Sequence, residues 1–178
     1  DEDEAESDGG NYDTRGSKAA HEQTSCIRVA QLVDAEVAGL LEQQPDAPLL
    51  EISRLRSANG QPLYVNQLVT MSRLTVDESL MTEDGPMYKL LDQVVAGAAK
   101  PMLDRGTVDI VPANPFFAEL LRVQPGHPLL RSGTSITTVD DNKPIAVEFT
   151  YFDALRVRLE LEAAPQRALR VIERSRDD

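Results

Sequence analysis

One cysteine and two histidines are all that 178 residues offer in thiol and imidazole chemistry. Cys26 alone cannot close an internal disulfide, and in a strand-like stretch it reads as a small apolar residue. His21 and His127 make no ligand set at zinc spacing, so neither a metal nor any other cofactor is expected. The same shortage removes Ser/His/Asp and Cys/His nucleophile machinery, because His21 stands in an acidic segment and His127 in a proline-flanked turn. No run of eighteen apolar residues occurs and no charged-then-apolar leader opens the chain, so no membrane span and no signal peptide are expected. A soluble, cytoplasmic protein is expected.

Base is also scarce where acid is dense. The net charge is −12, and the first thirteen residues, DEDEAESDGGNYD, hold seven acids and no lysine or arginine; subtracting them leaves −5 for the rest. Such a segment cannot bury enough apolar surface to offset its ordering entropy, so residues 1–24 are expected to be a disordered acidic lead. It repels phosphates, and no basic stripe compensates elsewhere, which speaks against tight binding of DNA or RNA by these residues. At this length and with 41% hydrophobic residues, one domain with a real core is expected.

What the chain does have is a sentence written twice. Residues 38–50 read AGLLEQQPDAPLL and residues 118–130 read AELLRVQPGHPLL. Ala38, Leu40, Leu41, Gln44, Pro45, Pro48, Leu49 and Leu50 recur, each eighty positions on, as Ala118, Leu120, Leu121, Gln124, Pro125, Pro128, Leu129 and Leu130. Two copies at so long a period make pseudo-equivalent halves of one domain, not a repeat array. Each copy opens with a β-branched strand, SCIRVAQL or GTVDIV. A helix start follows, with Asp34 or Asn114 as N-cap and Pro115 at a first helical position, and the Q-P-x-x-P words end each helix. Then come two hairpins, one turning at Asn59-Gly60 and one at Asp141-Asn142, residues that tolerate positive φ.

Between the copies, DGPMYKLLDQVVAGAAKPML (84–103) has apolar residues at helical spacing and is expected to be a helix. After the second hairpin, RVRLELE (156–162) alternates as a strand with one solvated face. The polar end, residues 166–178, adds a short helix or strand and then frays. Hairpins are local and no strand–helix alternation repeats, so the fold class is α+β, an antiparallel β-sheet with peripheral helices on one side. The domain itself is expected over residues 25–165, with a cleft between equivalent halves as its natural pocket.

Strand alternation sets Leu50, Ile52, Arg54 and Arg56 on one face. Two arginines in line with core residues ask for an anion, since the guanidinium fork meets phosphate or carboxylate in pairs of bonds; the bland alternative is that they are solvated or ion-paired. On the second hairpin Ala146, Glu148, Thr150 and Phe152 share a face that Glu148 interrupts. Its carboxylate suits a ligand hydroxyl or amine, and equally suits Arg54 or Arg56 when no ligand is bound. Asn66, on the strand returning from Arg56, is a further polar candidate. Tyr88, at the start of the central helix, either closes over the site or packs, and the amides near Gly85–Met87 could cradle an anion.

The order A-x-L-L-x-x-Q-P-x-x-P-L-L, S-R-L-R-S-A-N-G-Q-P-L, D-G-P-M-Y-K-L-L, then L-L-R-V-Q-P-G-H-P-L-L with D-D-N-K-P-I-A-V-E-F-T-Y-F, resembles the UTRA domain, over roughly residues 25–162. UTRA is the effector-binding module of bacterial GntR/HutC-class transcription regulators. The resemblance implies the chorismate-lyase-like fold, a small anionic effector (a sugar phosphate or organic acid) held at Arg54 and Arg56, and a homodimer. It places an acid at Asn66 in many relatives. It also implies that DNA is reached only through a winged-helix domain that this chain does not contain, and the missing initiator Met favours a sensor cut from a longer regulator over a natural protein that has only the sensor. Chorismate lyases share the fold, but their arginine's place falls at Gln67 here, although Glu148 lies near the place of their glutamate. Lyase activity is therefore not expected, and a lyase-like enzyme or a ligand-free dimerisation module stands as the alternative.

Overall fold

The computed structural model describes residues 22–72, 81–82, 87, 101–138, 142–162 and 168–173. Along them run β1 (Glu22–Leu32), α1 (Ala35–Leu40), β2 (Leu49–Ala58), β3 (Gln61–Met71), β4 (Pro101–Pro112), α2 (Pro115–Leu121), β5 (Pro128–Thr138), β6 (Pro144–Asp153), β7 (Val157–Glu162) and β8 (Ala168–Glu173). The first six strands form one antiparallel sheet in the order β1-β2-β3-β6-β5-β4, while β7 and β8 pair with each other. Read across, the second half of the sheet is the first half reversed, so the duplicated units are related by a two-fold rotation.

Register locates the axis. Leu49 pairs with Met71, and its counterpart Leu129 pairs with Asp153. Met71 therefore corresponds to Asp153, and by the same shift Gln67 corresponds to Phe149. Gln67 and Phe149 are themselves partners in the β3–β6 ladder, so the axis passes between them. The same operation exchanges Asn66 with Glu148.

Six- and seven-residue helices are too short to persist on propensity alone, so capping and burial must hold them. Asp34 accepts the Val37 amide at 3.0 Å and Asn114 accepts the Phe117 amide at 2.8 Å. Val37, Ala38 and Leu41 are buried, as are their equivalents Phe117, Ala118 and Leu121; a fully buried side chain of this kind stabilises by roughly 1.5–3 kcal/mol. The exits match as well. Glu42 (φ 53°) and Arg122 (φ 56°) both turn left-handed, and Gln43 N–H and Val123 N–H reach the carbonyls of Ala38 and Ala118. The helices pack crosswise, α1 toward β6 and α2 toward β3. Each half thus covers the inner strand of the other, in a core that includes Leu49, Val65, Val69, Leu129, Val147, Phe149 and Tyr151.

The opposite face of the sheet carries a second cluster of Ile52, Leu68, Ile136, Ile145 and Ala146, with Met81 and Met87 over it and Cys26 at its edge. Cys26 Sγ lies 3.5 Å from Met81 Sδ, in keeping with its reading as a small apolar residue.

Two expected boundaries are corrected and a third element is found where expected. Glu22–Thr24 are not part of a disordered lead but the start of β1, paired with Arg56–Ala58. Residues 101–103 continue no helix: they open β4 and pair with Ile136–Thr138, since Pro101 has no amide to give a helix. Residues 168–173 supply a short strand in the polar end, as expected, and this β8 pairs with β7, the strand expected over 156–162. The rest of the expected 84–103 helix lies outside the described residues, except Met87, which is buried.

Candidate functional site

On the face turned away from the helices, register lines up Cys26, Arg54, Asn66, Thr150 and Ser132 across five strands. The neighbouring row sets Ile52, Leu68, Glu148 and Thr134 side by side. Polar side chains thus gather where the two-fold axis crosses this face, inside a border of Ile52, Leu68, Ile136 and Ala146.

Asn66 ties the group together. Its Nδ2 donates to Glu148 Oε1 at 2.6 Å and to Thr150 Oγ1 at 2.9 Å. The Asn66–Glu148 bond joins the two positions that the rotation exchanges, so the duplicated site has diverged into a donor and an acid that meet at the axis. Arg54, the direct neighbour of Asn66, is only 5% exposed. Burial holds its pKa below the ordinary guanidinium range, and the charge of Glu148 works against that effect. Burial likewise pushes the Glu148 carboxyl up, opposed by the Asn66 amide and then by the Arg54 charge. Each charge thus eases the desolvation of the other, and the patch is strongly polar within an apolar frame.

Five of the six residues picked from sequence fall on this one face: Arg54, Arg56, Asn66, Glu148 and Thr150. Tyr88 and the Gly85–Pro86 amides lie outside the described residues. Arg54, Asn66, Glu148 and Thr150 form the central group. Arg56 is turned to the rim, where its Nε and Nη2 donate to Glu22 Oε2 at 3.0 and 2.5 Å and its Nη1 donates to Thr24 Oγ1 at 2.7 Å. Sequence reasoning missed Glu22 and Thr24 as its partners; a β1 extended three residues upstream, in register with β2, was the signal that could have found them.

A second polar group, also missed, lies on the helix-covered face. Tyr151 donates to Gln67 Oε1 at 3.2 Å, and its phenol pKa is pushed up to about 12, chiefly by burial. Glu51, 4% exposed, accepts from Ser53 Oγ at 2.7 Å and has Arg28 Nη2 3.6 Å away, while Arg131 reaches Asp109 at 3.0 Å and stacks over Phe149. Each of these charges has a counter-charge nearby. Among the described residues no group of His, Cys, Asp or Glu could hold a metal ion, and no helix is long and apolar enough to cross a membrane.

A six-stranded antiparallel sheet with helices on one face, built from two pseudo-equivalent hairpin units, is the chorismate-lyase-like architecture of a ligand-sensing regulatory domain. Residues 14–158 match the model of the UTRA domain, and the chain belongs to that family. Solved structures share the fold at low identity. The ligand-binding domain of a putative GntR-family transcriptional regulator from Bordetella bronchiseptica is 23% identical, with a TM-score of 0.60 over 76% of this chain and 85% of that one. The C-terminal domain of the histidine utilization repressor from Pseudomonas syringae is 16% identical, with a TM-score of 0.60 over 80% of this chain and 99% of that one. A possible transcriptional regulator of Bacillus subtilis, YydK, is 14% identical, with a TM-score of 0.61; the match covers 82% of this chain and 63% of that longer one. No relative is found among curated proteins.

Proposed function

We propose that this domain senses a small anionic metabolite, a sugar phosphate or an organic acid, on the sheet face that carries Arg54, Asn66, Glu148 and Thr150. The observation that carries the reading is Arg54, a 5%-exposed guanidinium set beside a hydrogen-bonded Asn66–Glu148–Thr150 group in an apolar frame. A cation held there meets an oxyanion with charge-assisted bonds stronger than neutral ones, while Glu148 and Thr150 remain to take hydroxyl or amine groups. Arg56 is assigned to the rim of the same site.

The chain acts as a homodimer in the cytoplasm, and DNA is contacted through a winged-helix domain elsewhere in the full regulator. Catalysis is not its role. Gln67, at the place of the lyase arginine, faces the helices and accepts from Tyr151, whereas Glu148 is on the other face. That separation favours sensing over lysis.

Thermal shift with sugar phosphates and dicarboxylates tests the proposal. A ligand at a hundred times its Kd adds about 2.7 kcal/mol of stability. Arg54→Met should abolish the shift. A stabilising anion whose shift survives Arg54→Met refutes the assignment, and pyruvate release from chorismate would restore the lyase.

A further inference from the structure

We infer that Glu22 is a built-in occupant of the anion site: its carboxylate sits on Arg56 and must leave when an anionic effector spans Arg54 and Arg56. The inference rests on the anion site proposed above.

Arg54 and Arg56 project from the same face of β2 two residues apart, about 7 Å along the strand. That is within the reach of a single phosphorylated or dicarboxylic molecule. All three guanidinium nitrogens of Arg56 are engaged by β1: Nε and Nη2 by Glu22 Oε2, Nη1 by Thr24 Oγ1. Glu22 holds the Nε/Nη2 edge of Arg56, the edge that meets a phosphate or carboxylate side-on, so an effector oxygen takes that edge only if Glu22 yields. Glu22 presents the same chemistry as the ligand, a carboxylate, so the exchange replaces one anion by another and leaves no cation uncompensated.

The contact is weak enough to be exchanged. Arg56 and Glu22 side chains are 22% and 29% exposed, and ion pairs at such exposure contribute little to stability. The surrounding backbone is arranged to let go locally. Among the described residues β1 is an outer strand with β2 as its single neighbour in the sheet. Its ladder shifts register between Cys26 and Arg28, so Ile27 is an extra residue that separates Glu22–Cys26 from Arg28–Leu32. The first five residues can detach without disturbing the rest of the strand. The effector would thus be read out as a loosening of the start of β1, the sensor element first reached by a domain placed N-terminal to it.

Inorganic phosphate serves as the probe, titrated into wild type, Glu22→Gln, Arg54→Met and Arg56→Met by calorimetry, with amide hydrogen exchange read at residues 23–26. Glu22→Gln removes the competing charge at nearly constant shape, and should tighten phosphate binding about two- to fivefold, the span a part-exposed ion pair is worth. Phosphate should also speed exchange at residues 23–26 in wild type and leave residues 29–32 unchanged. Affinity that falls in Arg54→Met but is unaltered in Glu22→Gln, or protection of β1 that rises with phosphate, overturns the exchange of anions while leaving the site intact. Phosphate that binds none of the four proteins, or binds regardless of both arginines, overturns the anion site and this inference with it.

Discussion

Replacing Arg54 by Met removes a charge and keeps a stem of similar reach, which makes it the most informative single change at the centre of the sheet. The structure gives two consequences. Glu148 loses the cation that helps to hold its carboxyl down, so its pKa, already raised by burial, rises further. Leaving a buried charged group short of a partner costs about 1–3 kcal/mol, and in a chain of this size each kcal/mol moves Tm by about 2–4 °C. The sign with pH follows from proton counting. A carboxyl whose folded pKa exceeds its unfolded value keeps its proton more readily in the native state. Its contribution to stability is fully present below the unfolded pKa, near 4.5, and is lost as pH rises through the raised folded value. Arg54→Met should therefore lose more stability than wild type as pH rises above about 4.5. Arg54→Met with Glu148→Gln should recover part of the loss and remove the extra pH dependence. Urea denaturation of the four proteins at several pH values closes a double-mutant cycle. Parallel pH profiles for Arg54→Met and the double variant would refute the coupling of the two charges.

Two other expectations are independent of any ligand. Glu42→Gly and Arg122→Gly relieve left-handed backbone at non-glycine residues and should each stabilise by up to about 1 kcal/mol, adding in the double variant; equal losses on thermal unfolding would count against the helix ends described. Tyr151 should keep its proton to about pH 12, read as a late phenolate absorbance step that is absent from Tyr151→Phe. Because its folded pKa lies above that of a free phenol, its contribution is intact below pH 10 and is lost as pH rises through about 12, so Tyr151→Phe should flatten the alkaline end of the stability profile.

Much of the architecture could be read from the chain because its signals are local. The N-caps Asp34 and Asn114, the Asn59-Gly60 turn and the period-two hairpin words are all decided within a few residues, and the eighty-residue echo marked the halves as equivalent. Alternation also sets Arg54 with Arg56 on one face of the first hairpin and Glu148 with Thr150 on one face of the second, although only the β3–β6 ladder joins those faces at Asn66. What escaped reading was long-range. Nothing near Gln67 says that it meets Phe149 across an axis, because that pairing is set by packing of one half on the other. Arg56 looked equivalent to Arg54, yet the register of β1 gives it Glu22 and Thr24. The start of β4 is not legible because the helical spacing of Met87, Leu90, Leu91, Val94, Val95 and Ala98 runs up to it, and only the ladder with β5 claims residues 101–103 as strand.

The two-fold arrangement leaves β1 and β4 as the outermost strands, and each ladder is broken once, between Cys26 and Arg28 and between Leu103 and Gly106. A broken rim cannot offer an unbroken row of amides and carbonyls to a neighbouring molecule. The duplication that created a symmetric platform therefore interrupts its own rim at either end.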